Sequence, residues 1–307
     1  MDPKNISKNT QRYLAWLGLK FCSFMVKLLP GSMIYGFARS VAWLAYKFVG
    51  KQRKIAFDSL TMAFEQEKPA AELRQIAKDC FVNIAKGAVE LMFLMERPRA
   101  LKAQVDFVNK ENLEKALAAG KGVILVSAHF GNFPLMMAKL SLEGYKTAGI
   151  MRQMRDERAE KFFLEKRNNM GIQTIYSQPR KTCVEESIRA LRTNSILFIP
   201  IDQNFGTAGV FVKFFGVQAA TATGPVVLAQ RTQASILPCF IVRQPDDRHK
   251  IFFEPPLILL EGKDERDTIL INIQCLTDII EAYIRKYPAE WGWVHRRWKS
   301  KPASTRT

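Results

Sequence analysis

Acidic residues are scarce in this 307-residue chain: 29 Asp and Glu stand against 46 Lys and Arg, a formal charge of +17. Such a surplus does not specify a fold, but it predicts attraction to nucleic acid, anionic lipid headgroups or an acidic protein. Against nucleic acid, the chain carries no zinc finger, RNP signature or other readout motif, so none is expected as a partner. The five cysteines (Cys22, Cys80, Cys183, Cys239 and Cys275) are odd in number, lie far apart and form no CxxC pair, which argues for reduced thiols facing the cytosol. Only three histidines occur, His129, His249 and His295, without HExxH or comparable spacing, so no structural or catalytic zinc is expected. No GxSxG elbow is present either. With 17 Gly, 14 Pro and 48% hydrophobic residues the composition is that of a globular chain with a sizeable core, and no internal repeat or low-complexity linker interrupts it.

A long uncharged apolar run is also missing. The segment from Tyr13 to Pro30 reaches about 17 residues and contains Lys20 and Lys27, which is marginal for roughly 30 Å of hydrocarbon. No A-x-A-like site follows it, which argues against a removed signal peptide. Met33 to Val49 has the same character, with Trp43, Tyr46 and Phe48 beside Arg39 and Lys47. Aromatics mixed with basic residues on apolar helices suit the headgroup layer of an anionic bilayer, and ordinary core helices with basic ends are the alternative. Residues 1–55 are therefore read as a membrane-associated helical segment, and 56–307 as the main domain.

The main domain is organised around Gly122-Val-Ile-Leu-Val-Ser-Ala-His129-Phe-Gly-Asn132-Phe-Pro134. Val123 to Val126 read as a strand buried on both faces. Gly131 and Asn132 permit a tight turn, Asn132 is a natural cap for the next helix, and Pro134 fits its first turn. Open α/β sheets place ligand crevices at the carboxyl ends of strands. From spacing alone, His129 is either a structural hydrogen-bonding residue or a catalytic base.

Further strands are expected at Tyr145–Met151, Ile172–Tyr176, Ile196–Asp202, Ile236–Val242 and Ile251–Leu259, the last at a sheet edge because Pro255-Pro256 interrupts it. Helices are expected between them, over Glu111–Ala119, Leu135–Leu142, Asp156–Met170, Cys183–Thr193, Thr221–Gln233 and Asp267–Tyr287. This alternation predicts an α/β fold with a largely parallel or mixed sheet flanked by helices. Residues 55–100 look helical without obvious chemistry, and Glu90 and Glu96 read by default as surface or capping acids. Val210 to Gly216 reads as a glycine-bearing loop with an aromatic patch.

Five blocks, His129-Phe-Gly-Asn132, Asp202-Gln203-Asn204, Phe214-Phe215-Gly216, Thr221-Ala-Thr223-Gly224 and Trp293-Val-His295-Arg296-Arg297-Trp298-Lys299, occur in the order that resembles the bacterial lipid A biosynthesis (lauroyl/myristoyl) acyltransferases. The resemblance covers nearly the whole chain. It implies a glycerolipid-acyltransferase-like fold and an enzyme on the cytoplasmic face of a bacterial inner membrane. The implied reaction moves a fatty acyl group from acyl carrier protein, or less often coenzyme A, to a hydroxyl of a phosphorylated lipid A precursor. The acyl thioester is a co-substrate, and no cofactor is implied.

The family motif is His, four residues, then Asp or Glu; here Pro134 stands at the acidic position. A carboxylate there would orient the imidazole and stabilise its charged form. With His129 as general base for direct attack on the thioester, a second group must hold the ring. Asp202 is the first candidate for this part of the catalytic machinery and a backbone carbonyl the second. Asp202 also reads as a loop-fixing or capping residue. Ser127 shares the side of the strand with His129 but is a poor candidate nucleophile. Arg152 and Arg167 match basic positions of the family and are candidates for holding acceptor phosphates, against a reading as solvated helix charges. Backbone N–H groups near Gly131 and Asn132 are candidates for an oxyanion or a phosphate. Phe211, Phe214 and Phe215 line either an acyl channel or the core. The terminal Trp/Arg/Lys segment is a candidate for headgroup contact. Two other readings stay open: transfer to a lysophospholipid or another glycolipid, and a non-catalytic lipid-binding relative in which Pro134 has ended turnover.

Overall fold

The computed structural model describes residues 3–302. The N-terminal half opens with four helices, α1 (Pro3–Leu28), α2 (Ile34–Phe48), α3 (Gly50–Phe64) and α4 (Ala70–Leu94), followed by the short α5 (Pro98–Gln104). Strands and helices then alternate: β1 (Val105–Val108), α6 (Lys110–Ala118), β2 (Val123–Ser127), α7 (Phe133–Leu142), β3 (Thr147–Met151), α8 (Glu157–Asn169), β4 (Ile172–Tyr176), α9 (Arg180–Arg192) and β5 (Ile196–Pro200). After β5 come β6 (Val210–Phe214), β7 (Val217–Thr221), α10 (Gly224–Thr232), β8 (Ser235–Arg243), β9 (His249–Phe253) and α11 (Glu265–Lys286).

The main sheet has the order β1-β9-β8-β2-β5-β3-β4. From β8 to β4 the strands are parallel; β9 runs antiparallel to β8, and β1 pairs parallel with β9. The fold is therefore mixed α/β with a mostly parallel sheet between helical layers. β2 is buried at every position because aliphatic side chains meet a helical layer on each face. On one face Ile124 and Val126 join Leu60, Phe64, Ile273 and Ile280 in one core. On the other, Val123 and Leu125 pack with Leu135, Met136 and Phe198. The α11 stripe of Ile273, Leu276, Ile280 and Ile284 is buried as a 3.6-residue period requires, and Asp264 caps that helix by accepting from the backbone N–H of Asp267.

Two expectations change. The strand after residue 249 is internal, because it stops at Phe253 ahead of the prolines and β1, an element with no strong sequence signal, covers its outer side. The stretch 210–221 is a hairpin. Phe215 and Gly216 both take positive φ, +51° and +73°, the conformation that a two-residue turn between twisted strands requires. The division expected at residue 55 falls inside α3, whose Ala56, Leu60, Ala63 and Phe64 are part of the sheet's own core.

No helix among the described residues is long and apolar enough to cross a membrane. α1 carries a stripe of exposed apolar side chains, Leu14, Leu17, Phe21, Phe24 and Leu28, and α2 exposes Trp43, Leu44 and Phe48.

Candidate functional site

The site is a consequence of strand register. β2 and β5 are parallel neighbours with Ser127 opposite Pro200, and the N–H of Ile201 donates to the Ser127 carbonyl at 3.1 Å. Two residues further along each chain, on the same side of each backbone, come His129 and Asp202. Their side chains meet: His129 Nδ1 lies 2.8 Å from Asp202 Oδ1. The second carboxylate oxygen accepts from the indole Nε1 of Trp291 at 2.7 Å.

Asp202 is buried, yet it is held well below the usual carboxylate range. Burial pushes its pKa up, but the charge and hydrogen bond of His129 and the donation from Trp291 together outweigh that. An ionised carboxylate can only accept, so His129 Nδ1 carries a proton and Nε2 keeps its lone pair. Burial also opposes protonation of His129. The neighbouring charge and hydrogen bond of Asp202 more than offset it, and the imidazole pKa rises above its ordinary value. The His129 side chain remains 26% exposed, so the ring has an open side.

The backbone around it is fixed closely. The His129 carbonyl accepts from Gly292 N at 3.1 Å, and Gly131 N donates to the Glu290 carbonyl at 2.8 Å. Gly131 has φ +55°, and a Cβ there would sit 2.0 Å from the Ile241 carbonyl oxygen. Only glycine fits. The rings of Phe133 and His295 flank His129 at 5.2 and 5.3 Å between centroids.

The Gly131 N–H is thus already engaged by Glu290, so it is not a free donor for an oxyanion. The Asn132 side chain makes no cap for α7; it donates instead to Glu90 Oε2 at 2.9 Å and to the Gly87 carbonyl at 3.2 Å. Pro134 lies in the first turn of α7 as expected. Arg152 follows β3 at the same carboxyl edge as His129 and Asp202, one strand beyond β5, and is exposed. The Arg167 guanidinium is already paired, with Glu160 at 2.8 Å and Thr174 Oγ1 at 2.9 Å, and Glu160 in turn accepts from the Met154 N–H at 2.6 Å, two residues past Arg152. Ser127 Oγ is buried with no hydrogen-bond partner.

Glu90 is no surface acid. It is fully buried, receives Arg243 Nη2 at 2.9 Å and Tyr35 Oη at 3.0 Å, and lies 3.1 Å from His249 Nε2. Burial would raise its pKa, but His249 and Arg243 hold it down at about 2. Asp247 extends the cluster through Lys86 at 2.6 Å and Arg243 at 3.3 Å. Through Asn132 this network buttresses the turn that carries His129. Nothing in the spacing of residues 35, 86, 90, 243 and 249 announces it; only the tertiary fold gathers them.

The terminal basic and aromatic segment is largely internal. Trp291 and Trp293 are fully buried, and Arg297 is 1% exposed. The Arg297 guanidinium donates to the carbonyls of Gln203 and Ala220 and to Thr221 Oγ1, tying the Asp202 loop to the hairpin. Burial lowers its pKa to about 10, with Asp202 opposing. Headgroup contact is excluded for these three side chains because they are inside the protein. Phe214 and Phe215 are likewise packed, against Trp291, Trp293 and Trp298.

Comparison with known proteins gives the same direction. The family model described as "Bacterial lipid A biosynthesis acyltransferase" matches residues 3–300. The chain is 24% identical to the lipid A biosynthesis lauroyltransferase of Escherichia coli (strain K12), over 94% of this chain and 92% of that protein. It is also 24% identical to the lipid A biosynthesis palmitoleoyltransferase of the same organism, with the same coverage. A phosphatidylinositol mannoside acyltransferase of Mycobacterium tuberculosis (strain CDC 1551 / Oshkosh) is 25% identical over 68% of this chain and 65% of that protein. The relatives share acyl transfer to a glycolipid while differing in the glycolipid named. Since the match to the family model leaves out only the extreme ends of the sequence, this chain belongs to the bacterial lipid A biosynthesis acyltransferases.

Proposed function

We propose that the protein transfers a fatty acyl group from an acyl thioester, on acyl carrier protein or coenzyme A, to a hydroxyl of a lipid A precursor, with His129 as general base and Asp202 as its positioning residue. The hydrogen bond between His129 Nδ1 and Asp202 Oδ1 carries this reading, because it leaves the accepting nitrogen free on the open side of the ring. The acceptor O–H gives its proton to Nε2 as its oxygen attacks the thioester carbonyl carbon. Collapse of the tetrahedral species breaks the C–S bond, and the proton passes from His129 to the departing sulfur. The thioester is the only co-substrate needed, and no cofactor enters. Asp202 supplies from just past the end of β5 the carboxylate that Pro134 cannot supply from α7, which counts against the non-catalytic alternative.

Arg152, exposed at the same edge, is proposed to hold a phosphate of the acceptor. Arg167 is already neutralised by Glu160 and is assigned to bracing α8 on β4. Gly131 and Asn132 shape the turn that presents His129 to the acceptor. The exposed apolar stripes of α1 and α2, flanked by Lys20, Lys27 and Lys47, support docking on the cytoplasmic leaflet of a bacterial inner membrane. The basic surplus also suits docking of an acidic acyl carrier protein. A second reading is transfer to another glycolipid or a lysophospholipid; the mycobacterial relatives, whose named acceptor is a mannoside, favour the glycolipid.

The test is acyl transfer by purified protein from labelled acyl carrier protein thioester, with lipid A precursor, phosphatidylinositol mannoside and lysophospholipid offered in parallel. Transfer to the lipid A precursor alone, abolished in His129→Ala, is expected. Transfer only to another acceptor supports the second reading, and full activity in His129→Ala removes the mechanism.

A further inference from the structure

The geometry points to His295 as a second catalytic imidazole that donates a hydrogen bond to the oxyanion formed when the thioester carbonyl is attacked. The inference rests on the acyl-transfer reading of His129. Attack on a thioester places negative charge on the carbonyl oxygen, and a site without a donor there forgoes a large part of its rate advantage. One backbone donor of this turn is spent, since Gly131 N already serves the Glu290 carbonyl. The polar ring beside the base is His295, 5.3 Å from His129 between centroids and only partly buried.

Three observations give that ring a definite state and place. First, Gln203 Nε2 lies 3.2 Å from His295 Nε2 and 3.5 Å from Nδ1; with the amide donating to the nearer nitrogen, the ring proton is on Nδ1. The Gln203 backbone is held in place, because its main-chain carbonyl receives Arg297 at 3.2 Å. Second, no ion pair among the described residues involves His295. Burial, and then the charge of His129, lower its pKa, so it stays neutral while His129 next to it is held up by Asp202. The two imidazoles therefore have opposite tendencies, one to take a proton and one to share the proton it has. Third, Gly292 leaves room for the ring: a Cβ there would lie 3.3 Å from His295 Cδ2 and 3.4 Å from both His295 Nε2 and the His129 carbonyl. The backbone at 292 is thus pressed against both histidines.

The step balances without a further reagent. The acceptor oxygen bonds to the carbonyl carbon, its proton goes to His129 Nε2, and the carbonyl π pair moves to oxygen, where the His295 N–H meets it. As the C–S bond breaks, the pair returns, His295 keeps its proton, and the thiolate receives the one held by His129.

The test compares His295→Ala and His295→Gln with the unaltered chain, reading transfer to acceptor and, without acceptor, slow hydrolysis of the thioester. Both reactions pass through the same oxyanion. Loss of one such donor is expected to lower kcat about 10²- to 10³-fold with acceptor KM changed less than about threefold. Hydrolysis should fall in parallel, and the amide of His295→Gln should restore part of both rates. A raised acceptor KM with hydrolysis intact, or kcat retained in His295→Ala, overturns the assignment. If His295→Ala does not fold, a His295→Gln rate no better than that of a His295→Leu variant with native circular dichroism overturns it equally. His129→Ala is run alongside: activity there sinks the parent mechanism, whereas an inactive His129→Ala beside an unimpaired His295→Ala sinks only this inference.

Discussion

The indole Nε1–H of Trp291 points at Oδ2 of Asp202 from 2.7 Å, so the carboxylate that faces His129 with one oxygen is pinned by the other. That donor dictates what an amide would do in its place. In Asp202→Asn the side-chain oxygen must turn to Trp291, which presents the NH₂ group to His129 and forces the imidazole into the tautomer with its lone pair on Nδ1. We expect acyl transfer to fall roughly 10³- to 10⁴-fold, the scale of a wrong-tautomer base. Adding Trp291→Phe frees the amide to rotate, so the double variant should transfer acyl groups faster than Asp202→Asn alone. A double variant slower than the single one contradicts this orientation. Single-turnover rates on both proteins decide it.

The pH profile should follow from the raised pKa of His129. The base works only unprotonated, so kcat/KM should climb through a value above the ordinary histidine 6.5, and in Asp202→Asn the limb should move to lower pH because burial then acts alone. The raised pKa of His129 contributes to stability with the opposite trend: that contribution is complete below the unfolded-state value and is lost as pH rises through the raised one. Rates between pH 5 and 9 locate the limb.

Much of this was accessible before any coordinates. The buried strand ending on His129 and the β/α alternation follow from residue type and order, because strand period is a local property; Asp202 becomes a candidate only through the family resemblance, whose motif acid Pro134 replaces. β1 escapes because four residues, Val-Asp-Phe-Val, carry too little pattern. The hairpin escapes because Phe215 at positive φ looks like a core aromatic rather than a turn residue. Glu90, His249 and Arg243 are silent for a different reason. A buried charge network is defined by partners far apart in sequence, here 153 residues for Glu90 and Arg243.

That network makes a stability prediction. Glu90→Leu removes the buried charge that His249 and Arg243 share and leaves Arg243 only its longer contact to Asp247, which costs about 3–5 kcal/mol. Urea unfolding should show the loss in midpoint, and an unchanged midpoint would mean the cluster is solvated in solution.

Glu290 gives a further pH signature. Burial first, and then the nearby Glu90, raise its pKa to about 7 against the opposing charges of Arg243 and Lys86. A carboxyl raised in the folded state favours folding while protonated, so its contribution should decline as pH rises from about 4.5 through 7. The melting temperature of Glu290→Gln, compared with the unaltered chain across that window, should lack this decline.

The exposed stripe of α1 predicts partition onto lipid. Phe21→Ser and Phe24→Ser each remove a side chain more than half exposed, and each should weaken binding to phosphatidylglycerol vesicles roughly tenfold. Co-sedimentation at low and high salt reads the effect, and equal binding by all variants would assign membrane contact to another surface.

Seventy-three residues separate the imidazole from its carboxylate, and adjacent strands bring them together. An acid five places downstream would travel with the histidine in any folded fragment of the strand and its helix. This protein instead divides the pair between chain segments that meet only when the central sheet closes. An incomplete or newly emerging chain therefore lacks the contact between ring and carboxylate, and under the proposed mechanism the ability to activate an alcohol arises together with the finished tertiary structure.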